Sequence, residues 1–259
     1  MEGLNTMSSV STDAQQEWKA WREQRAESVS APYGPLSLTG TFWLVDAVDG
    51  RIEGVPGHWA EAPDGETVIL TTDAGDRVTL DPDGEYRPAD GDTKLVAIKR
   101  EGLWAVRIWD PAAPTRRAFA GIEAFDYDKR WVLPAVFRPY GETRTIQVPN
   151  ADGVQRGLGV GGELSFTVDD TEHTLTVAVE AGGGLWGVIA DATSGKSTFR
   201  FRFVRTPAPA ADDGSVVLDL NRAVLPPCSF SDGFICPFPP PGNTLPFAVE
   251  AGERQALTS

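Results

Sequence analysis

A chain of 259 residues with 37 acidic against 23 basic side chains carries a net charge of −14, which excludes the basic stripe that a nucleic-acid backbone requires. Its length suits one large β-rich domain or two small ones, with enough chain for a substantial core. No run approaches the roughly 18 apolar residues of a membrane-spanning helix, and the N-terminal MEGLNTMSSVSTDAQQE lacks the basic-then-apolar pattern of a signal peptide, so a cytoplasmic location is expected, with Met7 an alternative start.

Metal and redox-cofactor chemistry find little support. His58 and His173 are the only histidines, and Cys228-x7-Cys236 is not the C-x-x-C spacing of a zinc knuckle. Both histidines read as exposed loop residues, so neither a structural metal nor a His-dependent triad is expected, and no cofactor is. In a reducing compartment the two cysteines are expected as thiols.

Residues 1–12 read as disordered. From Thr12 to Glu27, Trp18, Trp21, Arg22 and Arg25 recur at three-to-four spacing behind a capping Asp13, the pattern of one amphipathic helix with a Trp-bearing face. Short β-type runs follow at 41–46, Arg51–Val55, Thr67–Thr71, Arg77–Leu80, Lys94–Lys99 and Leu103–Ile108. Turn dipeptides such as Asp49-Gly50, Asp64-Gly65 and Asp83-Gly84 separate them. Arg107 and Asp110, just before a proline turn, suggest an internal ion pair.

A second β block comprises Trp131–Phe137, Arg144–Val148, a turn over Gly157–Gly162, Glu163–Val168, His173–Val179, Gly184–Ala190, Ser197–Val204 and Ser215–Leu218. Strict alternation in 198–204 puts Arg200 and Arg202 on one face. That face reads as solvated, although two guanidiniums there could also hold a carboxylate. The expected fold is therefore all-β, a mainly antiparallel sandwich or barrel with one N-terminal helix. It forms a single domain over 13–254 with candidate lobes at 31–125 and 130–254, and a tail at 255–259. A helix content above about a quarter would contradict it.

Candidate site residues gather around Leu218–Pro246, which holds both cysteines and seven of the 20 prolines. Proline density excludes a helix interior or a central strand, yet Val224, Leu225, Phe230, Phe234 and Leu245 are too apolar for a solvated linker. An ordered loop of this length is uncommon and usually functional. Asp219, Asn221 and Arg222 offer an acceptor, an amide and a cation at its entrance, enough to orient a small carboxylate or phosphate; the alternative is that they satisfy the loop's own backbone. Asp191, Thr193 and Ser194 form either a hairpin turn or the mouth of a pocket. Cys228 is a buried inert thiol, or a nucleophile if a cation lowers its pKa. Asn243 completes the set. An antiparallel return of Ser215–Leu218 along Ser197–Val204 would bring Asp219, Asn221 and Arg222 to Asp191 and Thr193.

These residues carry a resemblance. The run Asp219-x-Asn221-Arg222-Ala223-x-x-Pro226-Pro227-Cys228-x-Phe230, then Cys236-Pro237-x-Pro239-Pro240, Asn243-x-Leu245-Pro246 and Ala251-Gly252-Glu253 resembles the bacterial and archaeal family catalogued as domain of unknown function 1684. Asp191-x-Thr193-Ser194-Gly195-Lys196-x-Thr198, Arg107-x-x-Asp110, Phe119-x-Gly121 and Leu36–Gly40 extend it over about 17–254. The resemblance implies candidate positions and not a reaction. Where family members tend to carry Tyr-Asn before Pro-Pro, this chain has Val224-Leu225; where they tend to carry Thr-Tyr, it has Thr198-Phe199.

Two functional readings follow. One is an enzyme or enzyme-like binder of a small organic molecule, with a pocket under the 218–246 loop. The other is a non-catalytic β module that binds a peptide or protein partner, with the Trp18/Trp21 helix available for docking, including as a homodimer. A concave cavity favours the first and a flat apolar patch the second.

Overall fold

A computed structural model describes residues 3–89, 91–210 and 213–259, and the side chains from Asp13 onward within them. The fold is mostly β, 45% strand against 16% helix, as the alternation and turn dipeptides require. Helix α1 spans Gly3–Ser30 and so brackets the stretch expected to be helical. The disorder expected over 1–12 falls on residues whose side chains, and at 1–2 whose backbone, lie outside the described set. The chain divides into two compact units, residues 28–119 with 230–234, and the remainder.

The first unit contains β1 (Leu38–Trp43), β2 (His58–Glu61), β3 (Val68–Thr71), β4 (Arg77–Leu80), β5 (Glu85–Tyr86), β6 (Lys94–Arg100), β7 (Leu103–Trp109) and the short α2 (Pro114–Ala118). They form a four-stranded sheet, β1-β7-β6-β5, and a β2-β3-β4 meander. Trp59, Val68, Leu70, Leu95, Trp104 and Val106 fill the core. Arg107 donates from Nε to Thr41 Oγ1 at 3.1 Å, while Asp110 caps the proline turn by accepting from Ala112 N at 2.7 Å. Residues 230–234 pack here too. Ser231 Oγ donates to Leu38 O at 2.6 Å, and Phe234 meets Trp109 edge-on at 5.8 Å.

The second unit holds most of α1, then β8 (Phe119–Ala124), β9 (Val132–Pro149), β10 (Gln155–Val168), β11 (Thr171–Val179), β12 (Leu185–Ile189), β13 (Arg202–Thr206), β14 (Ser215–Asp219) and β15 (Glu253–Thr258). Six strands run antiparallel in the order β13-β12-β11-β10-β9-β14, and β15 pairs with β8. The six-stranded sheet curls until its outer strands approach, and the gap is bridged by Phe203 N to Val224 O, 2.8 Å, and Val224 N to Phe203 O, 2.9 Å. This bridge covers part of the β13 edge. Leu133, Phe137, Leu164, Leu175, Val177, Val216 and Leu218 point inward, following the period-two alternation of their strands.

Several sequence expectations need correction. Gly157–Gly162 is not a turn but part of β10, opposite Gln147–Pro139 with a register shift between Val160 and Gly162. A Cβ at Gly162 would stand 2.4 Å from the Phe137 ring, so only glycine lets β9 and β10 bend there. Ser197–Val204 is not one strand, since β13 begins at Arg202. Ser215–Leu218 does not return along it; β14 pairs with β9, from Ser215 opposite Val136 to Asp219 opposite Val132. Neither histidine is in a loop. His58 opens β2, and His173 in β11 lies 4.7 Å from the Phe247 ring.

Candidate functional site

The 220–252 segment has no regular strand, so its polar groups need partners from elsewhere in the unit. From 243 to 249 it runs beside the end of β12. Ala190 N donates to Asn243 O at 3.0 Å, Leu245 N to Ala190 O at 2.8 Å and Ala192 N to Phe247 O at 3.0 Å. Leu245, Val249 and Ala251 thereby enter the core. Asn243, fully buried, acts as an inserted peptide group: its Oδ1 accepts from Thr176 N at 2.8 Å, and its Nδ2 donates to Thr176 O and Val188 O, both at 2.9 Å. It fills the ladder positions where β11 and β12 have diverged, since those strands pair only at Ala178–Trp186 and Val179–Leu185.

Beyond β12 lies a buried charge cluster. Asp191 Oδ1 accepts from Thr193 N at 2.8 Å, Thr193 Oγ1 at 2.6 Å and Val249 N at 3.1 Å, while Oδ2 meets Arg202 Nη2 at 2.7 Å. Thr193 Oγ1 is 2.9 Å from Thr198 Oγ1, and Ser194 Oγ accepts from Asp191 N at 3.0 Å. Arg202 also donates to the carbonyls of Val249, at 3.0 Å, and Ala251; its Nε finds no acceptor among the described residues. Burial would raise the Asp191 carboxyl, but Arg202 and the Thr193 hydrogen bonds outweigh it and hold the group below its ordinary range. The expected solvated face is thus wrong for Arg202, which is wholly buried, whereas Arg200 is exposed.

A second cluster gathers at the loop entrance. Asp219 Oδ1 accepts from Asn221 N and Asn221 Nδ2, both at 3.0 Å, and its Oδ2 meets Arg222 Nε at 3.3 Å. The Asn221 amide also exchanges hydrogen bonds with the backbone of Asp128, accepting at 2.9 Å and donating at 3.0 Å. Trp18 donates from Nε1 to Asn221 O at 3.0 Å, and Arg222 covers the Trp21 ring at 5.3 Å, so the Trp-bearing face of α1 rests on this loop.

The final stretch links the two clusters. Glu253 is buried; its Oε1 meets Arg25 Nε at 3.1 Å and its Oε2 accepts from Leu225 N at 2.6 Å. Burial pushes its carboxyl up despite Arg25. Gly252 has φ +77, and a Cβ there would stand 2.5 Å from Ala223 O, so the close approach needs glycine. No hydrogen bond or ion pair among the described residues joins Asp191 to Asp219 or Arg222. The polar groups of Asp191, Thr193, Asn221 and Asn243 are engaged by the protein's own chain.

The thiols and the concave surface lie elsewhere. Cys228 and Cys236 are buried thiols, not joined in a disulfide, with Cys228 N donating to Cys236 Sγ at 3.4 Å. On the outer face of β9, β10 and β14 a groove of about 810 Å3 is lined by Val132, Val136, Arg138, Glu172 and Val217, with Pro207 and Ala208 at its side. Val136 and Val217 are 38% and 49% exposed. Arg138 Nη1 donates to Ser165 Oγ at 3.1 Å. Sequence reasoning missed this groove because each outward valine of an alternating strand looks like an isolated surface residue. The signal was there in the Val-x-Pro-x-Val and Val-Val pairs of strands that prove adjacent.

The model of the family described as protein of unknown function (DUF1684) matches residues 117–254. The chain belongs to that family. The matched stretch contains both polar clusters, the thiol pair and the groove. Val224 exchanges backbone hydrogen bonds with Phe203 and Leu225 N donates to Glu253; Phe199 lies half-buried beneath Arg200, 5.5 Å from its guanidinium carbon. A solution NMR structure of an uncharacterised protein of Haloarcula marismortui is 28% identical, covering 56% of this chain and 82% of that one with a TM-score of 0.46. No curated protein matches. Among the described residues no helix is long and apolar enough to cross a membrane.

Proposed function

We propose that this protein of the DUF1684 family binds a small organic molecule in the groove on the outer face of β9, β10 and β14. The ligand class is an apolar body bearing one anionic group. The carrying observation is the groove itself. Its volume of about 810 Å3 falls within the ~300–1,000 Å3 of small-molecule sites, and it combines exposed valines with one guanidinium, Arg138, and one carboxylate, Glu172. Val136 and Val217 would bury apolar surface against the ligand, while Arg138, which forms no ion pair with a carboxylate among the described residues, would face its anionic end. The loop over 218–246 supports the reading less well as a pocket roof, because its buried polar residues already have partners in the chain.

The test uses 1-anilinonaphthalene-8-sulfonate, an apolar anion, as a fluorescent probe. Saturable one-to-one binding is expected, lost in Val136→Asp and weakened about tenfold in Arg138→Gln. Val154→Asp, at an exposed valine outside the groove, should leave it unchanged. Equal binding by the wild type and Val136→Asp would refute the assignment.

A further inference from the structure

Cys228 and Cys236 are placed against one another by two independent sets of anchors. Cys228 sits in a single 3-10 turn, Pro227–Ser229, held by Ser229 N and Ser229 Oγ donating to Pro226 O at 2.9 and 2.8 Å. Cys236 is tied to the β9–β10 turn: its carbonyl accepts from Ala151 N at 2.9 Å, Phe238 N donates to Pro149 O at 2.9 Å and Asn150 Nδ2 donates to Ile235 O at 3.1 Å. Between these anchors the Cys228 amide points at the Cys236 sulfur, 3.4 Å away. Both residues are only 7% and 6% exposed, yet the neighbouring Arg200 is exposed and lies 4.7 Å over the Phe238 ring.

We propose that Cys228 and Cys236 form a redox-active dithiol that a hydroperoxide converts into an intramolecular disulfide. The Cys236 sulfur already reaches the Cys228 backbone, and neither residue belongs to a strand, so closing to the ~2.05 Å of a disulfide disturbs no strand ladder. The Cys228 thiol is the attacking group. A hydrogen bond from the Cys236 thiol, helped by the Arg200 guanidinium, holds it below the ordinary thiol range in spite of burial.

The chemistry balances without a metal or cofactor. The Cys228 thiolate attacks one oxygen of ROOH, the O–O bond breaks, and the alkoxide leaves as ROH with the proton released by Cys228. Cys228 is now a sulfenic acid. Cys236 attacks that sulfur, the S–O bond breaks, and hydroxide leaves with the Cys236 proton as water. Two thiols have lost two electrons and two protons, and the hydroperoxide has become an alcohol and water. A dithiol reductant reverses the change.

The experiment treats the native full-length protein with hydrogen peroxide at pH 7, then unfolds it and alkylates the remaining thiols for intact-mass analysis. The expected product is monomeric, lighter by two hydrogens, without alkylation at either cysteine, and restored by dithiothreitol. Arg200→Gln should form the bond roughly fivefold more slowly, and Cys236→Ser should leave a dimedone-reactive sulfenic acid at Cys228. The inference fails if both thiols stay alkylatable. It fails equally if the product is an intermolecular disulfide, if sulfinic acid appears in place of the disulfide, or if urea-unfolded protein reacts as fast as native. The wild type alone decides these outcomes, so a poorly folding variant does not protect the idea.

Discussion

Asp191 Oδ2 lies 2.7 Å from Arg202 Nη2, with both side chains wholly shielded from water. The pair joins the end of β12 to the start of β13 and, through Val249 N and the Val249 and Ala251 carbonyls, fastens the last irregular segment to the curled sheet. It acts as a hub for backbone groups that no strand partner could satisfy.

Removing one member strands the other charge in the core. Asp191→Asn is expected to destabilise the protein by about 3–5 kcal/mol in urea unfolding at pH 7. Arg222→Ala, which breaks the half-exposed Asp219 pair, should change stability by at most ~1 kcal/mol. Similar values for the two would contradict the assignment of the hub.

Acid should find the same hub. Because the folded Asp191 carboxyl lies below its ordinary value of 3.8, its stabilisation is present above that pH and lost as pH falls through the folded value. Glu253 has the opposite sign. Its folded value is raised above 4.5, so its contribution is present below that pH and lost as pH rises through the folded value. Urea midpoints measured against pH should lose the acid-side slope in Asp191→Asn and the slope above 4.5 in Glu253→Gln. Unchanged slopes in either variant would count against its part.

Asn243→Ala deletes three hydrogen bonds and orphans the Thr176 N–H, the Thr176 carbonyl and the Val188 carbonyl. A loss of about 2–4 kcal/mol is expected, with faster amide hydrogen exchange at Thr176 than at Leu164 on the opposite pairing. Undiminished protection at Thr176 would show that the inserted amide is dispensable.

For α1 the expected ranking is Trp18→Ala above Trp21→Ala. Trp18 is buried and donates to Asn221 O, so truncation should remove about 3–5 kcal/mol, whereas the half-buried Trp21 should contribute ~1 kcal/mol through its cation–π contact with Arg222. Thermal unfolding of both variants checks the order; the reverse order would mean that the Arg222 contact, and not the buried Trp18 ring, anchors the helix.

What could be read from the residues was local. The Asp-Gly dipeptides and the short β-type runs between them speak for antiparallel strands, and the Trp18/Trp21 spacing for a helix. The Asp191–Ser194 turn and the Asp219 contacts to Asn221 follow from short-range side-chain chemistry, within reach of sequence reasoning. Pairing between distant strands was not. The partner of β14 is not legible locally, because Ser215 pairs with Val136 in β9, a strand far earlier in the chain. The burial of Arg202 is not legible from alternation with Arg200, because Phe199–Phe201 are not strand residues. The Asp191 carboxylate that neutralises it is a tertiary partner, and nothing in the run 198–204 announces it.

The threading of 243–253 bears on how the chain is synthesised. Val249, Ala251 and Glu253 supply groups that Asp191, Arg202, Leu225 and Arg25 require, so strands β9 to β14 leave the ribosome before their core can be closed. Until then the N-terminal helix has no Glu253 to receive it. Folding of this unit therefore waits for residues 243–253, and nascent chains halted before Val249 should remain open to protease across 131–219, however much of the sheet they already contain.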